Sequence, residues 1–195
     1  MSSLYSTKHI NKQRLKLDKQ KPVWLFGYGS IIFKVDFAYI KSSRAYLSGW
    51  QRRFWMASQD HRGTPTAPGR VLTLEPSPRA RCFGMAYQIE HDVLEALDHR
   101  EQNGYLRHHK NIELESGEQV NALVYLGDPE SPVYKEEHDL SKLAEHICKS
   151  KGPSGENKDY VYELAQALRM HGENDSYVFE LEQNLKILDA SDEYH

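Results

Sequence analysis

Few residues of this sequence have the type and spacing to do chemistry, and most fall in two short stretches. The first is Phe26-Gly27-Tyr28-Gly29-Ser30-Ile31, which directly follows the apolar run Val23–Phe26. Two glycines around an aromatic at the end of a buried strand allow dihedral angles closed to other residues. Successive backbone N–H groups in such a turn can converge on one point and bind an anion or an oxyanion. An ordinary tight turn has the same composition, so this stretch alone does not decide. The second is Leu97-Asp98-His99-Arg100-Glu101-Gln102-Asn103-Gly104-Tyr105. A helix is predicted to end here, with Gly104 as its terminator or part of the following turn. That puts Glu101 at a helix-to-loop boundary near Tyr105. A carboxylate partly buried at such a junction can act as a base near neutrality. A run of charges is equally what a solvated helix face looks like.

Other chemistries find less support. There are ten histidines, yet neither His-Glu-x-x-His nor a paired Cys-x-x-Cys occurs. His108 and His109 are adjacent and would face opposite sides of a strand, so no metal is expected. The stretch KSKGPSGEN lacks the Gly-Lys-Ser/Thr of a phosphate loop, and GYGSI is neither GxGxxG nor the GxSxG elbow. Convergence of Ser30, His61 and Asp98 as a hydrolase triad stays open but is not favoured. Cys82 and Cys148 read as buried small apolar residues in a reducing compartment. A net charge of −3 gives no reason to expect a nucleic-acid partner. No apolar run approaches the roughly 18 residues of a membrane span, and the N-terminus lacks a secretory h-region. A cytoplasmic protein that does not bind membranes is expected.

The elements that must position the two stretches follow from periodicity. Short β-branched or aromatic runs predict strands at Val23–Phe26, Arg44–Leu47, Arg53–Ala57, Arg70–Leu74, Cys82–Gln88, Asn111–Leu114 and Val120–Leu126. Val93, Leu94 and Leu97 mark a short helix ending near Arg100. Leu140, Leu143, Ala144, Ile147 and Cys148 share one helical face, with Asp139 as N-cap. Val161, Leu164, Ala165 and Leu168 form another face, and Val178, Leu181, Leu185 and Leu188 a further one. Strands dominate the first two-thirds and helices the rest, which argues for an α+β fold. Six or seven short strands can curl into a small barrel closed by the helices. Residues 1–21 carry six basic residues and read as a solvated, flexible tail, with a basic arm for an anionic partner as the alternative. Residues 22–195 read as a single domain.

Taken in order, VWLFGYGSIIFKVDF, RRFWMASQDHRGTPTAPGRVLTLEP, CFGMAYQI, LDHREQNGY and GPSGENKDYVYELAQAL resemble the ChaC-like γ-glutamylcyclotransferases, in their glutathione-specific branch. The resemblance spans about residues 22–188, and the DHRGTP and GPSG.N blocks make it specific. It implies a small mixed β-barrel flanked by helices. It places the substrate loop on Leu25, Phe26, Gly27, Tyr28, Gly29 and Ser30, and the catalytic acid/base on Glu101, with Tyr105 shaping the pocket wall. It implies intramolecular cyclisation of the γ-glutamyl group of glutathione, giving 5-oxoproline and Cys-Gly. That reaction needs no cofactor, because the nucleophile lies in the substrate. Arg53 or Arg62 could hold a substrate carboxylate, or could instead pair with Asp60 or other structural carboxylates. Where the family has Leu, Trp, Lys and Gly, this chain has Ile31, Phe33, Gln102 and Asn103. The alternatives are a cyclotransferase for other γ-glutamyl amines or peptides, and a catalytically idle γ-glutamyl-binding module.

Overall fold

The structure is a computed structural model that describes residues 6–15, 17, 18 and 21–192. Its five longer strands are β1 (Val23–Gly27), β2 (Lys41–Ser58), β3 (Gly69–Ile89), β4 (Tyr105–Leu114) and β5 (Gln119–Gly127). They close a barrel in the order β1-β3-β2-β4-β5. β1 runs antiparallel to β3 and parallel to β5, so the barrel is mixed. The helices are α1 (Lys8–Arg14), α2 (His91–Arg100), α3 (Leu140–Cys148), α4 (Asn157–Met170) and α5 (Ser176–Asp192). Strands β6 (Lys151–Gly152) and β7 (Gly155–Glu156) form a separate two-stranded sheet. The chain divides into two compact units, Met1–Gln51 with Leu74–Tyr134, and Arg52–Thr73 with Lys135–His195.

In the first unit the core is built from the barrel strands and the inner stripe of α2. Leu25, Phe26, Ala86, Ile89, Leu94, Leu97, Ile112, Leu123 and Val124 are all buried. Burial alternates over much of β4, the period-two pattern that places successive side chains on opposite faces, whereas Leu25–Gly27 of β1 and Ala122–Gly127 of β5 are buried without a break.

The second unit is a helical layer whose apolar stripes were legible in the sequence. Leu143, Ala144 and Ile147 of α3, Val161, Leu164 and Leu168 of α4, and Val178, Leu181 and Leu185 of α5 are buried. Asp139 caps α3 as expected, its carboxylate accepting from the N–H groups of Ser141 and Lys142 at 2.9 and 3.2 Å. The DHRGTP and GPSG segments press against each other here. A Cβ on Gly152 would lie 2.3 Å from the His61 carbonyl oxygen and 2.4 Å from the Gly63 nitrogen, so only glycine fits. The Ser154 N–H donates to the His61 carbonyl at 2.9 Å. Asn157 takes the N–H of Arg70 and donates to its carbonyl, at 2.6 and 2.8 Å.

Several sequence-based expectations need correction. Arg44–Leu47 and Arg53–Ala57 belong to one strand of 18 residues, which passes through Gly49 at φ +82°. Arg70–Leu74 and Cys82–Gln88 likewise join in one strand of 21 residues. Pro76 and Pro78 lie between the two expected runs, and both are exposed, where a strand tolerates residues lacking an N–H. β4 starts at Tyr105, six residues before the expected Asn111, because Arg107 occupies an inward position where the pattern called for an apolar residue. Residues 8–14 are helical, although they fall in the stretch read as a solvated tail; residues 1–5, 16, 19 and 20 of that stretch lie outside the described residues. Cys82 is buried, whereas Cys148 is only half-buried.

In α5 the Glu182 carboxylate is gripped by Arg169 and by Lys186, whose Nζ is 2.9 Å away. The hydrogen bond from Arg169 holds the Glu182 carboxyl below its ordinary value, and Lys186 adds to the effect. A depressed carboxyl contributes stability above its unfolded value of about 4.3 and loses that contribution as pH falls through the folded value. Glu182→Gln should therefore lower the melting temperature at pH 7, and the difference from the parent should shrink as pH drops below about 4. Thermal unfolding across pH checks this; a difference independent of pH would contradict it.

Candidate active site

The two stretches singled out in the sequence meet in the first unit. β1 carries Leu25, Phe26 and Gly27 into the barrel wall, in register with Tyr87, Ala86 and Met85 of β3. The chain then turns through Tyr28 and Gly29 into a short 3-10 turn, Ser30–Ile32. That turn is tied off by the N–H groups of Ile32, Phe33 and Lys34, which donate to the carbonyls of Gly29 and Ser30 at 3.0, 3.1 and 2.8 Å. The Tyr87 hydroxyl donates to the Ile31 carbonyl at 2.7 Å and pins its far end.

Gly27 serves differently from expectation. Neither Gly27 nor Gly29 has a positive φ; Gly29 sits at φ −127°, ψ −128°. What Gly27 supplies is space, because a Cβ there would fall 2.0 Å from Cγ1 of Ile31. Gly84 on β3, which the sequence analysis did not single out, supplies more. A Cβ on it would lie 2.5 Å from the Gly27 carbonyl oxygen and 2.6 Å from the Phe26 ring. The turn thus rests on a bare patch of β3. The only sequence signal for this was the glycine inside the CFGMAYQI strand, where an isolated Gly marks close backbone approach.

Glu101 stands at the C-terminal cap of α2, its N–H donating to the Leu97 carbonyl at 2.8 Å. Gly104 takes φ +84°, the left-handed conformation that turns the chain out of the helix end and into β4. The Glu101 side chain is 26% exposed, partly shielded but reachable. Tyr28 and Tyr105 are buried.

Arg100 joins the two stretches. Its guanidinium donates to the Ser30 hydroxyl oxygen at 2.6 Å and to Asp36 at 2.7 Å, and its Nε lies 3.4 Å from Oε1 of Glu101. One side chain therefore touches the turn and the carboxylate together. Sequence reasoning missed Arg100, since its adjacency to Glu101 does not say where the guanidinium points. A second link runs beneath. The Tyr28 hydroxyl donates to the Tyr125 carbonyl at 2.6 Å. The Tyr125 hydroxyl donates to Asp98 at 2.8 Å, and Arg107 pairs with the other Asp98 oxygen at 2.8 Å. Burial pushes the Asp98 carboxyl up, opposed by the Tyr125 hydrogen bond and the Arg107 charge. Burial and the Asp98 carboxylate push the Tyr125 phenol well above its ordinary value, so it remains a donor.

These contacts leave little to a Ser30-His61-Asp98 triad, because the Ser30 hydroxyl is held by Arg100 and both Asp98 oxygens are taken. His61 lies in the second unit, where its Nδ1 is 3.4 Å from the Ser154 hydroxyl. Arg53 and Arg62 also belong to that unit. Arg53 stacks over Tyr177 at 4.6 Å, while Arg62 pairs with Glu163 at 3.3 Å and donates to the Glu156 carbonyl at 2.9 Å. Among the described residues, no three His, Cys, Asp or Glu side chains gather as a metal site would require.

The chain belongs to the ChaC-like protein family, whose model matches residues 23–188. It is 38% identical over 174 residues to the glutathione-specific γ-glutamylcyclotransferase of Schizosaccharomyces pombe, covering 78% of this chain and 86% of that one. It is 37% identical over 158 residues to γ-glutamylcyclotransferase 2-3 of Arabidopsis thaliana, covering 75% and 79%. The crystal structure of a γ-glutamyl cyclotransferase specific to glutathione from yeast superposes with a TM-score of 0.79 at 29% identity, covering 85% of this chain and 96% of that one.

Since the turn lies against β3 without room for a methyl group, Gly84→Ala should push the Gly27 carbonyl outward. Overpacking of this kind costs about 1–3 kcal/mol. Denaturant unfolding measures it, and an unchanged midpoint would show that the contact yields freely.

Proposed function

We infer that this chain is a glutathione-specific γ-glutamylcyclotransferase, converting glutathione to 5-oxoproline and Cys-Gly. The observation that carries the reading is the span of Arg100 from Ser30 of the glycine turn to Glu101, which puts a carboxylate beside a backbone donor site in a ChaC-like chain. The glutathione specificity of the Schizosaccharomyces pombe relative and of the yeast enzyme supports the substrate.

In this mechanism the α-amine of the γ-glutamyl group attacks its own γ-carbonyl carbon. A new C–N bond closes a five-membered lactam, and the γ-amide C–N bond to cysteine breaks. Water is not consumed. Positioning supplies much of the rate, since well-oriented intramolecular attack corresponds to effective concentrations on the order of 10⁵–10⁸ M. Glu101 takes a proton from the α-ammonium and returns it to the departing amine of Cys-Gly. Backbone N–H groups of the Tyr28–Ser30 turn face the oxyanion of the tetrahedral intermediate. Leu25 and Phe26 hold that turn from the barrel wall, and Tyr28 and Tyr105 shape the pocket. Arg100 positions Ser30 and Glu101 relative to each other. The chemistry is complete with the substrate's own amine and these residues, so no cofactor or metal is invoked.

Among the described residues no helix is long and apolar enough to cross a membrane. Two free thiols and a net charge of −3 support a cytoplasmic enzyme whose partner is a small molecule, with neither nucleic acid nor membrane required.

Glu101→Gln keeps the size and much of the hydrogen bonding of the side chain but removes the proton acceptor. Turnover of glutathione should fall by about 10²–10⁴-fold, the contribution of one acid/base group, with the circular dichroism spectrum unchanged. A folded Glu101→Gln variant that forms 5-oxoproline at the parental rate would remove Glu101 from the mechanism.

A further inference from the structure

We propose that the segment Ser6–Arg14, which precedes the residues matched by the family model, is a positioning element that holds the Glu101 turn in its catalytic geometry. This rests on the acid/base reading of Glu101 given above.

The contacts fall on the backbone around Glu101, on both sides of the turn. The Thr7 N–H and the Thr7 hydroxyl both donate to the Gln102 carbonyl, at 2.7 and 2.9 Å. Ser6 forms an antiparallel bridge with Asn103. On the far side, Asn11 is fully buried. Its Nδ2 donates to the Tyr105 carbonyl at 3.0 Å, and its Oδ1 accepts from the Arg107 N–H at 2.9 Å. The side-chain amide thus does what a neighbouring strand does, satisfying a carbonyl and an N–H two residues apart on β4. The Asn11 carbonyl accepts from the Arg107 guanidinium at 2.8 Å, and the same nitrogen pairs with Asp98 on α2. One short helix is therefore fastened to Gln102 and to Tyr105 and Arg107, bracketing the turn that carries the carboxylate.

The residue types fit this task and little else on a helix of this size. A buried asparagine costs free energy unless its amide is fully bonded, and here each half of the amide has a backbone partner. Alanine would leave the Tyr105 carbonyl and the Arg107 N–H without those partners. Valine at Thr7 keeps the shape but deletes the hydroxyl bond to Gln102. The Thr7 hydroxyl also reaches the Glu101 carbonyl at 3.5 Å, and the bonds made by the two side chains fall on the backbone of the turn and of β4, so both act through that backbone. A misplacement of about 1 Å in a catalytic group can cost on the order of 10²-fold in rate.

The test compares Asn11→Ala, Thr7→Val and, as a control on the same helix, Lys12→Ala, which breaks the exposed pair with Glu95 and makes no hydrogen bond to the turn among the described residues. Steady-state kinetics with glutathione are run well below each melting temperature, and amide hydrogen exchange is followed at residues 101–107. For Asn11→Ala and Thr7→Val the expected result is faster exchange in that segment and a kcat lower by about ten-fold or more, with KM within two-fold. Lys12→Ala should match the parent. If Asn11→Ala does not fold, Thr7→Val decides alone. Parental kcat in the folded variants, or a loss seen equally with Lys12→Ala, overturns the positioning role. A parent protein that forms no 5-oxoproline would instead overturn the cyclotransferase reading, which keeps the two failures distinct.

Discussion

Burying the carboxylate of Asp98 against Arg107 constrains everything else in the first unit. Asp98 is 1% exposed and Arg107 5% exposed, so neither can turn to water. A buried pair of this kind contributes little net stability, yet deleting one partner costs about 3–5 kcal/mol because the other charge is left uncompensated. Its consequence is geometric. Asp98 lies on α2 and Arg107 on β4, so the pair fixes the helix to the strand across the turn containing Glu101. The Tyr125 hydroxyl brings β5 into the same network, and the Tyr28 hydroxyl reaches the Tyr125 backbone from the glycine turn. The glycine turn and the Glu101 carboxylate are thereby referenced to one buried side chain, that of Asp98 on the helix that Glu101 caps.

Above this network, Arg100 sets the local geometry. It bonds Ser30 and Asp36 while its Nε approaches Glu101, so the Glu101 carboxylate sits beside a fixed positive charge and close to the turn. The glycines complete the arrangement by absence of side chain. Gly84 lets the Gly27 carbonyl lie on β3, and Gly27 leaves room for Ile31. Positioning of this kind is what an intramolecular cyclisation needs most, since both reacting groups already belong to one substrate.

The sequence made the helical stripes legible because their apolar residues repeat at helical spacing without interruption, from Leu143 to Ile147 and from Val178 to Leu185. The GYGS turn and Glu101 were legible through residue type and order. The strand lengths were not. Gly49, Pro76 and Pro78 are local breakers that long exposed strands tolerate, so β2 and β3 each looked like two pieces. The start of β4 was hidden because Arg107 points inward, and its pairing with Asp98 on another element, 2.8 Å away, makes that possible. For the same reason α1 read as part of a tail. Its buried face is carried by one polar residue, Asn11, whose partners are backbone atoms nearly a hundred residues away that leave no trace in composition. Arg100 was overlooked because a charged residue at a helix end has many uses, and only its reach to Ser30 distinguishes this one.

The central claim is that Glu101 and the Tyr28–Ser30 turn direct the substrate's own amine, and not water, at the γ-carbonyl. The most direct measurement is the reaction of the purified protein with glutathione in ¹⁸O-labelled water, with products identified by mass at early times. The account predicts 5-oxoproline without label, Cys-Gly in equal amount and no free glutamate. Glutamate carrying ¹⁸O as the first product would contradict it.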